Sequence, residues 1–286
     1  MPYRALITEI RRRGSGRTRL LGIEVPDLDS FLDAEPEGLI DRLSAEYAEA
    51  LRQTGVRRFH VVGYCLGGLI STEVARALTE SGADVASFTA VSSHAPDFRL
   101  EDELVSEYSF AVMMGIDAAG LGFPADSGRF VAAAQVVLAN SPGVMVDGAF
   151  AALTDEYADV GEYFRRLAQV PRLQRLSRMC DAMPPSVGSF TPEQLMRMFR
   201  TFRQSVFALT RYHPEPYAGD ISFLRHAGPY PFPGSKDTVT EYWQDLCLGD
   251  LTVTDIAGDH FTCLADDHIP GVLRGLVEIT DGEVLA

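Results

Sequence analysis

The sequence predicts an α/β fold: a mostly parallel sheet flanked by helices and interrupted by a large helical insertion. Three features of its 286 residues point there. Short apolar runs alternate with amphipathic helical segments through residues 1–97 and again through 218–286, as parallel strands joined by helical crossovers require. Residues 98–217 carry helical periodicity with no clear strand and are too patterned to be a loop. Finally, Phe59–Gly68 passes from an apolar run into a helix through a turn rich in glycine. The composition, 46% hydrophobic and 23% charged, is that of a globular chain.

The elements follow in order. Leu6, Ile7 and Ile10 have helical spacing in Tyr3–Arg13, which stops at Gly14. Gly14–Arg19 reads as a basic turn and Leu20–Val25 as a short buried strand ended by Pro26 and Asp27. Asp29 and Ser30 open a linker to a helix over Leu39–Leu51, whose Leu39, Leu43, Tyr47 and Leu51 share a face and which Gly55 closes. Phe59–Val62 is a buried strand, Leu69–Thr79 a helix ending near Gly82, and Phe88–Val91 the next strand. Phe130–Leu138, Tyr157–Leu167 and Gln194–Leu209 are helices of the insertion, followed by Ile221–Leu224, Thr238–Leu246, Leu251–Ile256 and Ile269–Val277 as alternation resumes.

Several classes of protein are excluded. No apolar run approaches the roughly 18 residues that span a bilayer, and no apolar segment follows Met1 to act as a signal peptide. Cys65, Cys180, Cys247 and Cys263 are too scattered for a disulfide framework and form no CxxC pair, so no structural zinc and a reducing, cytoplasmic setting are expected. A net charge of −15 argues against nucleic acid or an anionic membrane as partner.

The chemistry lies in Gly63-Tyr64-Cys65-Leu66-Gly67-Gly68, a G-x-C-x-G turn between strand and helix. This is a nucleophile elbow with cysteine where serine is usual. A strained turn would lift the Cys65 side chain above the sheet, and side chains at Gly63 and Gly67 would meet neighbouring backbone. The helix N-terminus would favour the thiolate, and the Leu66 N–H would face an oxyanion formed during acyl transfer. His260, in Gly258-Asp259-His260-Phe261 after the last predicted strand of the pattern, stands where α/β hydrolases carry their catalytic histidine. The acidic third member is not evident: Ala90-Val91-Ser92-Ser93-His94 holds serines at one usual place, and Phe223-Leu224-Arg225-His226-Ala227-Gly228 holds no carboxylate at the other. Asp97, Asp237 or no residue at all remain the options. A thiol, with a pKa of about 8.5, tolerates that gap better than a hydroxyl does, so a Cys65–His260 dyad is expected.

At these residues the chain resembles the thioesterase domains of nonribosomal peptide and polyketide synthetases. Leu39–Leu51 followed by Phe59–Gly68, the helix pattern Thr72-Glu73-Val74-Ala75 to Gly82, and the run from Trp243 through Gly249-Asp250-Leu251 to Phe261 carry the resemblance over roughly residues 1–96 and 218–280. It implies an α/β-hydrolase fold with a helical lid, no cofactor of its own, and an acyl or peptidyl carrier protein as partner. That carrier would present the chain as a thioester on phosphopantetheine, and the chain would pass to Cys65 and then to water or an internal nucleophile. Ser92 stands at the family's usual aspartate, and the strand and glycine-rich loop with which the family normally begins are missing, which leads us to expect sequence upstream of Met1. Dienelactone hydrolases and polyhydroxyalkanoate synthases share the hexapeptide; the former lack such a lid and the latter are much longer. A dienelactone-type hydrolase of small molecules and a non-catalytic carrier-docking module are the alternatives. Arg11, Arg12, Arg13, Arg17 and Arg19 form a basic cluster read as a solvated helix end, Cys263 reads as packing, and Met196, Met198, Phe199, Phe202, Val206 and Phe207 read as lid core.

Overall fold

Arg4–Arg13 coils into helix α1 because Leu6 and Ile10 fall one turn apart on a single buried face. Arg11, Arg12 and Arg13 occupy its last turn, where the helix dipole favours positive charge. The computed structural model describes residues 3–13, 19–25, 27–185, 188, 190–230, 234–276 and 284–285. The predicted turn at 14–18, Arg17 within it, Pro26 and the predicted helix end at Val277 lie outside these residues. Along the chain, α1 is followed by β1 (Arg19–Leu20), α2 (Leu28–Asp33), α3 (Leu39–Gln53), β2 (Arg58–Tyr64), α4 (Leu66–Glu80) and β3 (Asp84–Val91). Then come β4 (Arg99–Leu100), α5 (Glu103–Met113), α6 (Ser127–Asn140), β5 (Val144–Met145), α7 (Ala158–Ala168), α8 (Arg172–Asp181) and α9 (Pro192–Leu209). The chain closes with β6 (Ile221–His226), α10 (Lys236–Leu246), β7 (Leu251–Ile256), α11 (Ile269–Gly275) and β8 (Val284–Leu285).

Residues 1–28, 37–95 and 212–286 form one compact unit. Its sheet has the order β1-β8-β2-β3-β6-β7, with parallel pairing throughout the described strands. Side chains alternate across each strand, so Val91 and Leu224 point into a core with Leu6, Ile10, Ile256, Cys263, Leu264, Ile269 and Val272. Phe88 and Phe223 point the other way, onto the fully buried Trp243 of α10. The Trp243 indole N–H donates to the Ser93 carbonyl at 2.7 Å, tying α10 to the chain just past the end of β3. Two expectations change here. The strand predicted over Leu20–Val25 is reduced to Arg19–Leu20, which pair with Val284 and Leu285 of β8; Ile23 is exposed. And β8, a strand the sequence reading did not include, lies between β1 and β2, paired in parallel with Phe59 and His60 of β2.

Residues 29–36 and 96–211 form the second unit. Asp29–Pro36 therefore belongs with the helical block and not with the sheet, where its linker-like composition placed it: the Gln204 amide donates to the carbonyls of Phe31 (3.2 Å) and Ala34 (2.6 Å). The block also contains a strand pair, β4 with β5, that two-residue elements leave invisible to periodicity. Its core is aromatic, with Phe130, Phe150 and Phe164 stacked at centroid distances of 4.6–6.2 Å and Phe110 edge-on to Phe199 of α9. Among the described residues no helix is long and apolar enough to cross a membrane.

Inside this unit the fully buried Glu107 of α5 meets Arg175 of α8 in a two-pronged ion pair of 2.6 and 2.7 Å. Burial pushes the Glu107 carboxyl up, and Arg175 opposes that rise. Removing one partner strands the other charge without water, a loss of about 3–5 kcal/mol. Urea unfolding is expected to show that loss for Arg175→Met and to recover most of it in Arg175→Met with Glu107→Leu. A single variant as stable as the parent would contradict it.

Candidate active site

The site grows from the end of β2. The strand places Tyr64 at its last position, and Cys65 then turns back with φ 55° and ψ −129° before α4 begins at Leu66. A non-glycine residue adopts such a backbone only where its surroundings enforce it, and the enforcement is visible. A Cβ on Gly63 would lie 2.2 Å from the Gly67 carbonyl oxygen and 2.6 Å from Gly68 Cα, so the first turn of α4 runs directly against the strand. The sequence assigns the same role to Gly67, but there a Cβ would meet only the Tyr3 hydroxyl at 3.0 Å; the second tight position is Gly68, 2.4 Å from Ser93 Oγ. The Cys65 N–H donates to Val91 O (3.1 Å) and the Gly68 N–H to Cys65 O (3.0 Å), while the Leu66 N–H is directed at Cys65 Sγ. Tyr3, just before α1, accepts the Tyr64 N–H on its hydroxyl at 2.7 Å.

His260 reaches the elbow from the loop after β7. Asp259 shapes that loop: its Oδ1 accepts from the amides of Phe261 and Thr262 and from the Thr262 hydroxyl, each at 2.9 Å. Burial raises the Asp259 carboxyl, but these donors outweigh it and the net shift is downward. Gly258, at φ 90°, allows the approach of His268, whose Nδ1 would lie 2.6 Å from a Cβ there. The Tyr64 ring stacks on the imidazole and its hydroxyl donates to the His260 carbonyl, while Phe261 packs edge-on. His260 Nε2 lies 3.2 Å from Cys65 Sγ. The two residues singled out from the sequence are thus brought together, with Leu66 beside them.

The other ring nitrogen of His260 meets no carboxylate among the described residues. Its Nδ1 lies 2.9 Å from the hydroxyl of Ser92, which has φ 47° at the end of β3 and donates its backbone N–H to Leu224 O. Asp97 and Asp237 are both exposed, and neither is the partner of Nδ1. Beyond Ser92 lies a residue the sequence did not nominate: His226, at the end of β6, places Nδ1 2.7 Å from the same hydroxyl. Its signal was its position, since β6 ends where some hydrolases carry their acid. Cys263 is buried in the apolar core of the sheet unit. Among the described residues no cluster of three or more His, Cys, Asp or Glu side chains is arranged to hold a metal.

Cys65 and His260 are half-buried, and the packing around them disfavours charge on either. Burial raises the Cys65 thiol, partly offset by the Leu66 N–H, so the expected thiolate bias of the helix N-terminus is outweighed. Burial also lowers His260 to about 4, against a small opposing pull from Asp259. His226 and His94 fall to about 4 as well, first through burial and then through repulsion from His260. The shifts of Cys65 and His260 both favour a neutral thiol facing a neutral imidazole.

The sheet order, the elbow and the helical insertion together define an α/β-hydrolase fold. Residues 3–107 match the family model of the thioesterase domain. Over 267 residues the chain is 36% identical to pyochelin synthetase PchF of Pseudomonas aeruginosa strain PAO1, a match covering 93% of this chain and 14% of that protein. Strain UCBPP-PA14 carries a relative of the same name, 35% identical over the same shares. Among solved structures, the Vlm2 thioesterase domain aligns at a TM-score of 0.51 with 17% identity, over 96% of this chain and 89% of that one. A four-domain nonribosomal peptide synthetase, holo-AB3403, aligns at 0.53 with 16% identity, over 92% of this chain and 19% of that one. The chain thus resembles thioesterase domains over residues 3–107 and spans about 14% of the length of the curated relatives it matches.

Two outcomes follow from the geometry. Gly63→Ala is expected to destabilise the fold by about 3 kcal/mol or more, because its Cβ would meet unyielding backbone, and Gly67→Ala by about 1 kcal/mol, because only a tyrosine hydroxyl must move; equal losses in urea unfolding would contradict this. The second concerns pH. His94, His226 and His260 stay neutral in the fold down to about pH 4 but charge near 6.5 in the open chain. Between those values the unfolded chain binds more protons, so stability is fully present above 6.5 and falls as pH drops towards 4, by at most about 1.4 kcal/mol per pH unit for each histidine. Thermal unfolding across that window is expected to show a steep decline, and a level profile would contradict it.

Proposed function

We propose that this domain releases an acyl or peptidyl chain from a carrier-protein phosphopantetheine thioester through a thioester on Cys65. The observation that carries this reading is the 3.2 Å separation of Cys65 Sγ from His260 Nε2 at the elbow. The match of residues 3–107 to the thioesterase-domain model supports it, as does the likeness to a pyochelin synthetase.

Cys65 Sγ attacks the thioester carbonyl as its proton passes to His260 Nε2, and the carbonyl oxygen becomes an oxyanion facing the Leu66 N–H. Collapse breaks the bond to the pantetheine sulfur, which leaves with the proton from His260. A thioester has been exchanged for a thioester, so acylation is nearly balanced in energy. Water, or a hydroxyl or amine of the bound chain, then attacks the Cys65 thioester, giving its proton to His260. Cys65 leaves and takes that proton back, which restores the neutral pair. No cofactor enters the cycle; the pantetheine arm arrives with the substrate. Because His260 and the thiol are both neutral at rest, proton transfer accompanies attack and does not precede it.

The test is intact-protein mass spectrometry after exposure to short acyl thioesters of a pantetheine mimic, with Cys65→Ala as control. An acyl mass on the parent and none on the variant is expected. Absence of any adduct, with carrier protein still bound by parent and variant alike, would overturn the reading in favour of a docking module; turnover of free lactones with no preference for thioesters would favour a small-molecule hydrolase. Cys65→Ser is expected to acylate about 100-fold more slowly or worse, since a hydroxyl holds its proton far more tightly and His260 has no carboxylate behind it.

A further inference from the structure

A hydroxyl carries one proton, and Ser92 Oγ stands between two imidazole nitrogens, His226 Nδ1 at 2.7 Å and His260 Nδ1 at 2.9 Å. It can donate to only one of them. If it donates to His260 Nδ1, the His260 proton must sit on Nε2, aimed at the thiol, and no base faces Cys65. If it donates to His226, its lone pair accepts the His260 Nδ1–H and Nε2 is free.

The far end of the chain decides between these. His226 Nε2 lies 3.3 Å from the Pro229 carbonyl oxygen, and a carbonyl only accepts. A proton on Nε2 satisfies that contact, and a neutral imidazole then has a lone pair at Nδ1. His226 is nearly fully buried, which favours the neutral ring, and its titration is pushed down to about 4. Tyr230 holds the ring in place, its hydroxyl donating to the His226 carbonyl at 2.8 Å and its ring packing at a centroid distance of 3.9 Å. The Cys263 sulfur also lies near the Ser92 hydroxyl, but sulfur is a weak acceptor and does not compete with an imidazole nitrogen.

We propose that His226 is a positioning residue that fixes the tautomer of His260 through Ser92, so that a chain of one-way hydrogen bonds does the orienting work of the absent carboxylate. Every donor then has an acceptor: His260 Nδ1–H to Ser92 Oγ, Ser92 Oγ–H to His226 Nδ1, and His226 Nε2–H to Pro229 O. No net charge is placed behind His260, so the chain orients the base without stabilising the imidazolium as a carboxylate would. The role of His226 in turnover rests on the reading of Cys65 and His260 given above; the tautomer itself does not.

The test reads the tautomer directly, by two-bond proton–nitrogen correlation spectra of the protein labelled with 15N-histidine, with His260→Gln and His226→Asn assigning the signals. In the parent His260 is expected to carry its proton on Nδ1 and His226 on Nε2; the opposite tautomer at His260 would overturn the proposal with no variant needed. In His226→Leu the His260 proton is expected to move to Nε2 and acylation to fall by about 100-fold. His226→Asn, which keeps a carbonyl oxygen for the Ser92 hydroxyl, is expected to retain the parent tautomer and most of the rate. Ser92→Asp supplies an acceptor of its own, so in that background His226→Leu is expected to cost little. A loss of rate from His226→Leu that persists there at an unchanged tautomer would reduce His226 to packing and overturn the proposal. The expected tautomers with no acyl adduct on any thioester would refute the function and leave this inference standing.

Discussion

Cys65 leaves the end of β2 in a conformation that costs free energy, and it stays there because the backbone of Gly67 and Gly68 lies against Gly63 with no room for a carbon atom between them. That contact fixes the start of α4, and the start of α4 aims the Leu66 N–H. It also sets the height of the cysteine above the sheet, to which the His260 loop and the hydroxyl of Ser92 must both match. Tyr64 couples these parts, since its amide rests on Tyr3 and its ring and hydroxyl hold His260.

A site this buried does not create charge easily. Desolvation raises the thiol and lowers the imidazole, so separating them into thiolate and imidazolium is opposed from both sides. In a serine enzyme a carboxylate behind the histidine offsets that cost. Here a hydroxyl, not a carboxylate, lies behind His260, and in the proposed mechanism the acidity of a thiol lets a neutral relay suffice. In that mechanism cysteine at the elbow and serine just past β3 suit one another chemically, because the thiol needs less help from the group behind His260 than a hydroxyl would.

The sequence revealed the elbow, the histidine and the alternation of the sheet because each rests on local chemistry: glycine where a backbone crosses close, a loop histidine after the last long strand, apolar runs between helices. It did not reveal what depends on contacts remote in the chain. Ser92 was recognisable as a departure, but its partnership with His226 joins residues 134 positions apart and no spacing announces it. The tightness credited to Gly67 belongs to Gly68, because the neighbour that decides it is Ser93, just past the end of β3. Likewise Asp29–Pro36 reads as linker until Gln204 claims its carbonyls, and Leu20–Val25 reads as a strand although, among the described residues, the pairing with β8 involves only Arg19 and Leu20.

The suppressed ionisation of Cys65 has a bearing on its redox chemistry. Peroxides, disulfides and alkylating agents react with thiolates, and a cysteine kept as the thiol by burial presents little of that form at neutral pH. In the proposed mechanism its proton departs to His260 only as a carbonyl carbon is attacked. The desolvation that makes Cys65 a reluctant anion thus also disfavours the form that becomes sulfenic acid or a mixed disulfide.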